Sequence, residues 1–391
     1  MNYPAALRLG VLRMAFAAGW PLCLLNALQA SFTPDPKELP EQSVQTLEIG
    51  ASMPDFRLPD LEGNWVSSDE FAEAEVLVIL FTCNHCPTAQ AYEDRIIEYV
   101  EDYRDRGVQV VGVMPNSVLG LLLEECGYSD LNDSFPEMKI RAQHKGYNFP
   151  YLYDGDDHRM SVKFGPSTTP QVFVFDAERR LQYVGRMDAH ERPGTGQAED
   201  LRNATDALLA GETPELQQTR AFGCSVKWAW KLDWTRKVNA DWAAKPVTLD
   251  DLDMAEMQEL LANDSDSLRL INFWATWCAP CVIEYPDFVD THRMYSGRDF
   301  EFISVSMDRP DQRGKVLKFL DEANSAVRNF IFTGADKFAF MEAVSADWNG
   351  ALPFTLLVEP GGEVVWSCQG PVDFLELRRV IVDHELIGRY Y

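Results

Sequence analysis

The chain alternates between short, mainly apolar runs and longer stretches of helical period. Glu75 opens the first such run, Val76-Leu77-Val78-Ile79-Leu80-Phe81, whose length and branched side chains predict a strand buried on both faces. After Thr82-Cys83-Asn84-His85-Cys86-Pro87, the apolar residues Ala91, Ile96, Ile97 and Val100 recur at helical spacing, with Glu93, Asp94, Glu98, Glu101 and Asp102 on the other faces. Gly107 ends that helix, and Val108–Val113 reads as a second buried strand. Strand, cysteine-containing turn, helix and strand make a βαβ unit with a parallel pair.

The same order returns in the second half of the chain. Ser267–Trp274 predicts a strand, Trp277-Cys278-Ala279-Pro280-Cys281 a turn, the stretch through Phe288 and Met294 a helix, and Phe300–Val305 the next strand. Each copy continues to an X-Pro step that begins a further strand, Thr169-Pro170 before Gln171–Phe175 and Leu352-Pro353 before Phe354–Val358. Each of those strands turns into another, Leu181–Val184 and Glu363–Trp366. The duplication is one of architecture, not of close sequence. We place the modules at residues 47–245 and 246–391, the first including a connecting segment that carries Trp228, Trp230, Trp234 and Trp242. Interdomain packing accounts for those tryptophans.

Composition narrows the classes of function. The 391 residues are 46% hydrophobic and 12% aromatic, which is enough apolar surface for two cores. A formal net charge of −26 repels phosphate backbones, so nucleic acid is excluded as a partner. Arg8 and Arg13 precede an apolar run from Met14 to Leu28 that ends at small Ala30. That is the anatomy of a secretory signal over residues 1–30, followed by a polar linker over 31–46. The run is shorter than the ~20 residues a spanning helix needs, so no stable membrane span is expected once the signal is cleaved. The expected location is the periplasm or another extracytoplasmic compartment, with retention of the signal as an anchor the alternative.

The two Cys-x-x-Cys turns carry the chemistry. A pair lying after a buried strand and opening a helix is expected to put its first sulfur at the helix N-terminus, where unpaired N–H groups and the dipole stabilise a thiolate. The second sulfur, one turn on, can then resolve a mixed disulfide formed by the first. This spacing serves two-electron thiol–disulfide exchange and calls for no cofactor. The pairs could also be written as zinc ligands, but each opens its own helix in its own module, and no metal is expected.

Residues ~267–385 resemble the TlpA/ResA-like branch of the thioredoxin fold, through Ile271–Cys281, Glu284, Pro286 and Leu352-Pro353. Asn272 stands where thioredoxin itself has a buried Asp. The resemblance implies a cis-proline step at Leu352-Pro353 and a carboxylate, Glu284, that modulates protonation. The Pro before Cys281 points to the reductant end of that family. Residues ~47–230 resemble the redoxin, peroxiredoxin-like group, through Gly50–Phe56, Phe81–Pro87, Ala91–Arg95, Lys145–Asp154, Gly185–Asp188 and Gly223–Trp228. Peroxidases of that group carry a Pro-x-x-x-Thr-x-x-Cys loop, which is not matched here. Ser117–Asn132 reads as an insertion relative to it.

Together these resemblances imply an α/β protein of two thioredoxin-fold domains in tandem, each a central mixed sheet flanked by helices. The implied activity is extracytoplasmic thiol–disulfide exchange with protein thiols and disulfides, fed by an unidentified redox donor. Cys278 is expected to attack and Cys281 to resolve, with Trp277, Leu352 and Pro353 at the substrate. In the first module Cys83 and Cys86 take the same roles, His85 tunes Cys83, and Thr169 and Pro170 face the substrate. An electron relay between two sites of different potential is one expected division of labour. A thiol peroxidase using Cys83 or Cys86 and a peptide-binding scaffold without catalysis are the alternatives. Cys368 is read as packing, and a bridge between Cys126 and Cys224 is left open.

Overall fold

The computed structural model describes residues 41–390. The proposed signal and most of the polar linker lie outside the described residues. A hairpin, β1 (Arg57–Pro59) and β2 (Trp65–Ser67), precedes the first apolar run, which forms β3 (Val76–Phe81). Then follow α1 (Pro87–Tyr103), β4 (Val108–Met114), α2 (Phe135–Lys145), β5 (Tyr151–Tyr153) and α3 (Ser161–Phe164). The first module continues with β6 (Thr168–Thr169), β7 (Gln171–Phe175), β8 (Leu181–Gly185), α4 (Glu199–Leu209), β9 (Cys224–Ser225) and α5 (Leu232–Ala243). Its sheet has the order β5-β4-β3-β7-β8, with β3, β4 and β5 parallel and β7 and β8 antiparallel. Every residue of β3 and β7 is buried, because helices cover both faces of the sheet.

The second module holds β10 (Asp250–Leu252), α6 (Met254–Ala262), β11 (Leu268–Trp274), α7 (Ala279–Tyr295), β12 (Phe300–Ser306) and α8 (Arg313–Glu322). It ends with β13 (Arg328–Phe332), α9 (Lys337–Val344), β14 (Phe354–Val358), β15 (Val364–Gln369) and α10 (Phe374–Asp383). The sheet order is β10-β13-β12-β11-β14-β15, again parallel on one side of the central strand and antiparallel on the other. Both are mixed sheets of thioredoxin type, and the two X-Pro bonds, Thr169-Pro170 and Leu352-Pro353, are cis. β7 and β14 start just past their prolines, since proline has no N–H to give to a ladder. No helix among the described residues is long and apolar enough to cross a membrane.

The segment read as an insertion, Ser117–Asn132, joins the modules. Cys126 is fully buried and packs with Leu268, Phe288, Met294 and Tyr295, which belong to the second module's core. Its Sγ hydrogen bonds to the Leu122 carbonyl, so the bridge to Cys224 left open above does not form. Gly127 allows the close approach: a Cβ there would lie 2.8 Å from the Met294 carbonyl oxygen. Tyr295 donates its hydroxyl to the Ser129 carbonyl at 2.9 Å, and Arg293 pairs with Glu124 at 2.9 Å. Asp130, buried, accepts from Arg389 at 2.5 Å and from Arg379 at 3.0 Å, with Arg141 at 3.6 Å. Burial alone would raise its carboxyl, but Arg389, Arg379 and Arg141 outweigh that and hold it below the usual range.

The connecting tryptophans divide. Trp228 and Trp230 stack at 4.7 Å with His158 at their edge, and His158 accepts the N–H of Ala229. Trp242 instead packs with Cys278, Cys281 and Tyr285 and donates to the Asn324 carbonyl, whereas Trp234 is exposed.

Candidate dithiol sites

In the second module, buried β11 ends at Trp274, whose indole N–H donates to Ser304 at 2.8 Å. Asp308 accepts both the backbone N–H and the hydroxyl of Thr276, at 2.8 and 2.7 Å, which fixes the loop before the cysteines. Cys278 is the N-cap of α7 and is joined to Cys281 by a disulfide. Pro280 stands in the first turn, where its missing N–H costs no intrahelical bond. Trp277 beside the cap is 65% exposed, and Ile283 one turn into the helix is 78% exposed. Leu352 packs against the cluster that holds Cys278 and Cys281. Among the described residues no strand pairs with Leu352, so the backbone edge before Pro353 is open.

Glu284 lies three residues beyond Cys281, on the same helix face. It is buried, accepts the Val372 N–H on Oε2 at 3.0 Å, and leaves Oε1 buried with no hydrogen-bond partner. Burial pushes its carboxyl up to about 7, against the single bond from Val372. Asn272, buried behind the site, donates to the Thr355 hydroxyl at 3.0 Å.

The first module is built differently. The N-cap of α1 is Cys86, the second cysteine of the pair, and Pro87 follows it. The expected placement of the first sulfur at the helix end therefore holds at Cys278 and fails at Cys83. Pro87 fits this placement: with no N–H and a fixed φ it suits the first helical position, which leaves Cys86 as the cap. Cys83 lies three residues earlier, in the turn. Its Sγ and the Thr169 hydroxyl are hydrogen-bonded at 2.9 Å, and the Cys86 thiol donates to the Thr169 carbonyl at 3.1 Å. Both thiols are buried, at 2% and 0% exposure.

His85 sits between them with its Nδ1 2.5 Å from Asp133 Oδ2, both groups buried. Asp133 also accepts the N–H groups of Asn84 and His85 and the amide of Asn116. Burial opposes both charges, but the pairing wins: the Asp133 carboxyl is held down and the His85 imidazole is held up. Burial also opposes a Cys86 thiolate. Hydrogen bonds from Cys224 and Cys83, the charge of His85 and a backbone bond at Ala89 outweigh it and leave Cys86 well below the usual thiol range. Cys83 is pushed well above that range by burial and by its neighbours Cys86 and Asp133. His85 thus favours ionisation of Cys86, where the sequence led us to expect Cys83.

The substrate edge expected at Thr169 and Pro170 is occupied by the chain itself. β6 pairs antiparallel with β9, Thr169 opposite Cys224. Gly223 makes this possible: its φ is +131°, and a Cβ there would lie 2.1 Å from the Thr169 carbonyl oxygen. Sequence reasoning missed Cys224 as a neighbour of the site, although the glycine before it was a legible signal of close backbone approach.

Cys83, His85 and Asp133 bring three ligand-type atoms within 4.8 Å of one another. Asp133 is already committed to the protein, since it receives four N–H donors from Asn84, His85 and Asn116. The two dithiols do not meet. A crevice of about 260 Å³ beside His85 and Cys224 is walled by Met294, Gly297 and Arg298 at the far end of α7, whose N-cap is Cys278. At ~1.5 Å of rise per residue, the 17-residue helix separates them by about 25 Å. A relay between the modules has no direct sulfur-to-sulfur path in this arrangement.

Fold and sites define a tandem thioredoxin-fold dithiol protein. The AhpC/TSA family matches residues 49–184 and again 241–367, and the chain belongs to that family. It is similar to the thiol:disulfide interchange protein HelX of Rhodobacter capsulatus, 33% identical over 107 residues, 27% of this chain and 53% of the relative. It is also similar to the thiol-disulfide oxidoreductase ResA of Oceanobacillus iheyensis, 30% identical over 114 residues, 29% of this chain and 55% of the relative. The chain thus spans about half the length of the curated relatives it matches. Among solved structures, a hypothetical protein from Sinorhizobium meliloti is 30% identical with a TM-score of 0.42, covering 47% of this chain and 96% of that one. Over about half their length, the curated relatives that the chain resembles are thiol–disulfide oxidoreductases.

Proposed function

We propose that this protein exchanges disulfides with protein thiols in an extracytoplasmic compartment, and that Cys278 and Cys281 are its partner-facing dithiol. One observation carries the reading: the Cys278–Cys281 disulfide caps a helix beside exposed Trp277 and an open backbone edge at Leu352-Pro353. A partner strand can lie along that edge, and a partner thiolate attacks one of the two sulfurs. Attack at Cys278 Sγ expels the Cys281 thiolate, and a second partner thiolate then breaks the mixed disulfide and expels Cys278, whose thiolate the helix N-terminus stabilises. Glu284 takes or returns the proton on the Cys281 side, its uncharged form favoured up to near neutral pH. Run in reverse, the reduced pair attacks a partner disulfide through Cys278, and Cys281 resolves the mixed disulfide.

The test is insulin disulfide reduction with dithiothreitol as electron source. Cys278→Ser abolishes the activity, and Cys281→Ser accumulates a mixed disulfide at Cys278. Full activity in Cys278→Ser overturns the assignment. Export is tested separately, by fractionating cells that express the full chain. In the first module, low-pKa Cys86 is buried, which limits direct attack to small oxidants. Hydrogen peroxide consumption that persists in Cys278→Ser/Cys281→Ser and is lost with Cys86→Ser would establish the peroxidase alternative.

A further inference from the structure

The closed site of the first module contains a third sulfur. Cys224 lies opposite Thr169 in the β6–β9 pair, at the edge where a thioredoxin fold would receive a partner strand. Its backbone N–H donates to Cys86 Sγ at 3.2 Å, and its thiol is in hydrogen-bonding contact with Cys86. Cys83 and Cys86 are buried, whereas Cys224 is half-buried and lines the crevice of about 260 Å³ with His85, Tyr128 and Lys227. Lys227, paired with Glu125 at 2.5 Å, also lines the crevice beside Cys224. Neither sulfur of the pair offers a route to the outside that compares with this one.

We propose that Cys224 is a third redox residue, the thiol through which the buried Cys83–Cys86 pair exchanges with disulfides small enough to enter the crevice. The Cys224 thiolate attacks a disulfide R–S–S–R′, forming Cys224–S–S–R and expelling R′S⁻, which takes up the proton Cys224 released. The Cys86 thiolate then attacks Cys224 Sγ, forming the Cys86–Cys224 disulfide and releasing RSH. Finally Cys83 attacks Cys86 Sγ, forming Cys83–Cys86 and returning Cys224 to a thiol. One S–S bond breaks and one forms in each step. Two electrons and two protons pass from Cys83 and Cys86 to the two halves of the small disulfide.

This inference deepens the redox reading of the family but does not depend on exchange at Cys278. The experiment uses the full chain carrying Cys278→Ser and Cys281→Ser, so that only the first site reports, with oxidised glutathione as the probe. After brief exposure and acid quench, peptide mapping is expected to find Cys86–Cys224 in this background, and to find it accumulated when Cys83→Ser is added. Adding Cys224→Ser is expected to slow formation of Cys83–Cys86 about tenfold or more, since the relay's proximity is lost. Circular dichroism confirms that each variant folds; where one does not, mapping of the partially oxidised unmutated chain gives the same readout. Absence of any disulfide to Cys224 in all of these, or an unchanged oxidation rate in Cys224→Ser, overturns the proposal. Intact insulin, whose disulfides are too large for the crevice, serves as the second arm: exchange with it at the glutathione rate overturns the size limit that the crevice sets.

Discussion

Cys86 accepts the backbone N–H of Cys224 at 3.2 Å although 138 residues separate the two in sequence. That contact closes one dithiol behind the chain's own strand, while the other, at Cys278, faces an open edge beside an exposed tryptophan. Two modules of one fold class thus present the same sequence motif in different settings, one beneath the chain's own strand and one, with Cys278 7% exposed and Cys281 buried, beside an exposed tryptophan. The physical difference lies in a two-residue strand and a glycine.

Gly223→Ala is expected to unseat that strand. The new methyl group meets the Thr169 carbonyl at 2.1 Å in a backbone region that suits glycine, a cost of about 2 kcal/mol or more. Alkylation of Cys86 by a maleimide, followed by mass spectrometry under native conditions, should accelerate. Protection equal to that of the unmutated chain would show that the strand does not guard the site.

Asp133→Asn removes the carboxylate that holds the His85 imidazole's pKa up, and leaves a buried imidazole without its ionic partner. The expected loss is about 3 kcal/mol in denaturant unfolding at neutral pH. The pH dependence has two limbs. Asp133, held low in the fold, stabilises at neutral pH and loses that contribution as pH falls through its folded pKa. His85, held high, contributes fully below its unfolded pKa and loses the contribution as pH rises through the raised folded value. In the variant both limbs flatten, and the pH midpoint for iodoacetamide reaction at Cys86 moves up.

Glu284 behaves oppositely to Asp133. Its folded carboxyl titrates near 7, so between its unfolded pKa and that value the folded chain holds a proton the unfolded chain has lost. Stability therefore declines as pH rises through that window. Glu284→Gln should remove the decline, raising the Tm relative to the unmutated chain by a few degrees, about 2–4 °C, at pH 8 but not at pH 4. The rate of exchange at Cys278–Cys281 should lose its inflection near pH 7 in the same variant. An inflection that persists would place the titrating group elsewhere.

Asp130→Ala is expected to loosen the seam between the modules. It strips the shared carboxylate from Arg389, Arg379 and Arg141, of which Arg141 keeps Glu93 and Arg389 keeps Asp383, at a cost of about 1–3 kcal/mol. Hydrogen exchange should rise in residues 117–132 and in α10 while β3 and β11 keep their protection. Uniform loss of protection would mean that Asp130 supports the whole fold.

Much of the fold was legible because its signals are local. The runs that became β3, β4, β11 and β12 are too short for helices and mainly apolar, β3 wholly so, as a sheet covered on both faces requires. The proline steps marked where β7 and β14 begin, since a residue without an N–H cannot sit within a ladder. The helix cap at Cys86 was also readable, from Pro87, but the symmetry of the two cysteine motifs suggested otherwise. The strands β5, β10 and β13 were missed; β5 and β10 are three residues each, below the length at which alternation can be counted.

The sequence alone determined that two cysteine pairs would each stand between a buried strand and a helix, because hydrophobic runs, glycine stops and prolines act on the residues next to them. Only the tertiary structure decided that Asp133 reaches His85, that residues 117–132 join the modules, and that Cys224 lies against Cys86. Those pairings join residues distant along the chain, and they depend on how buried charges and backbone edges are satisfied once the cores have packed.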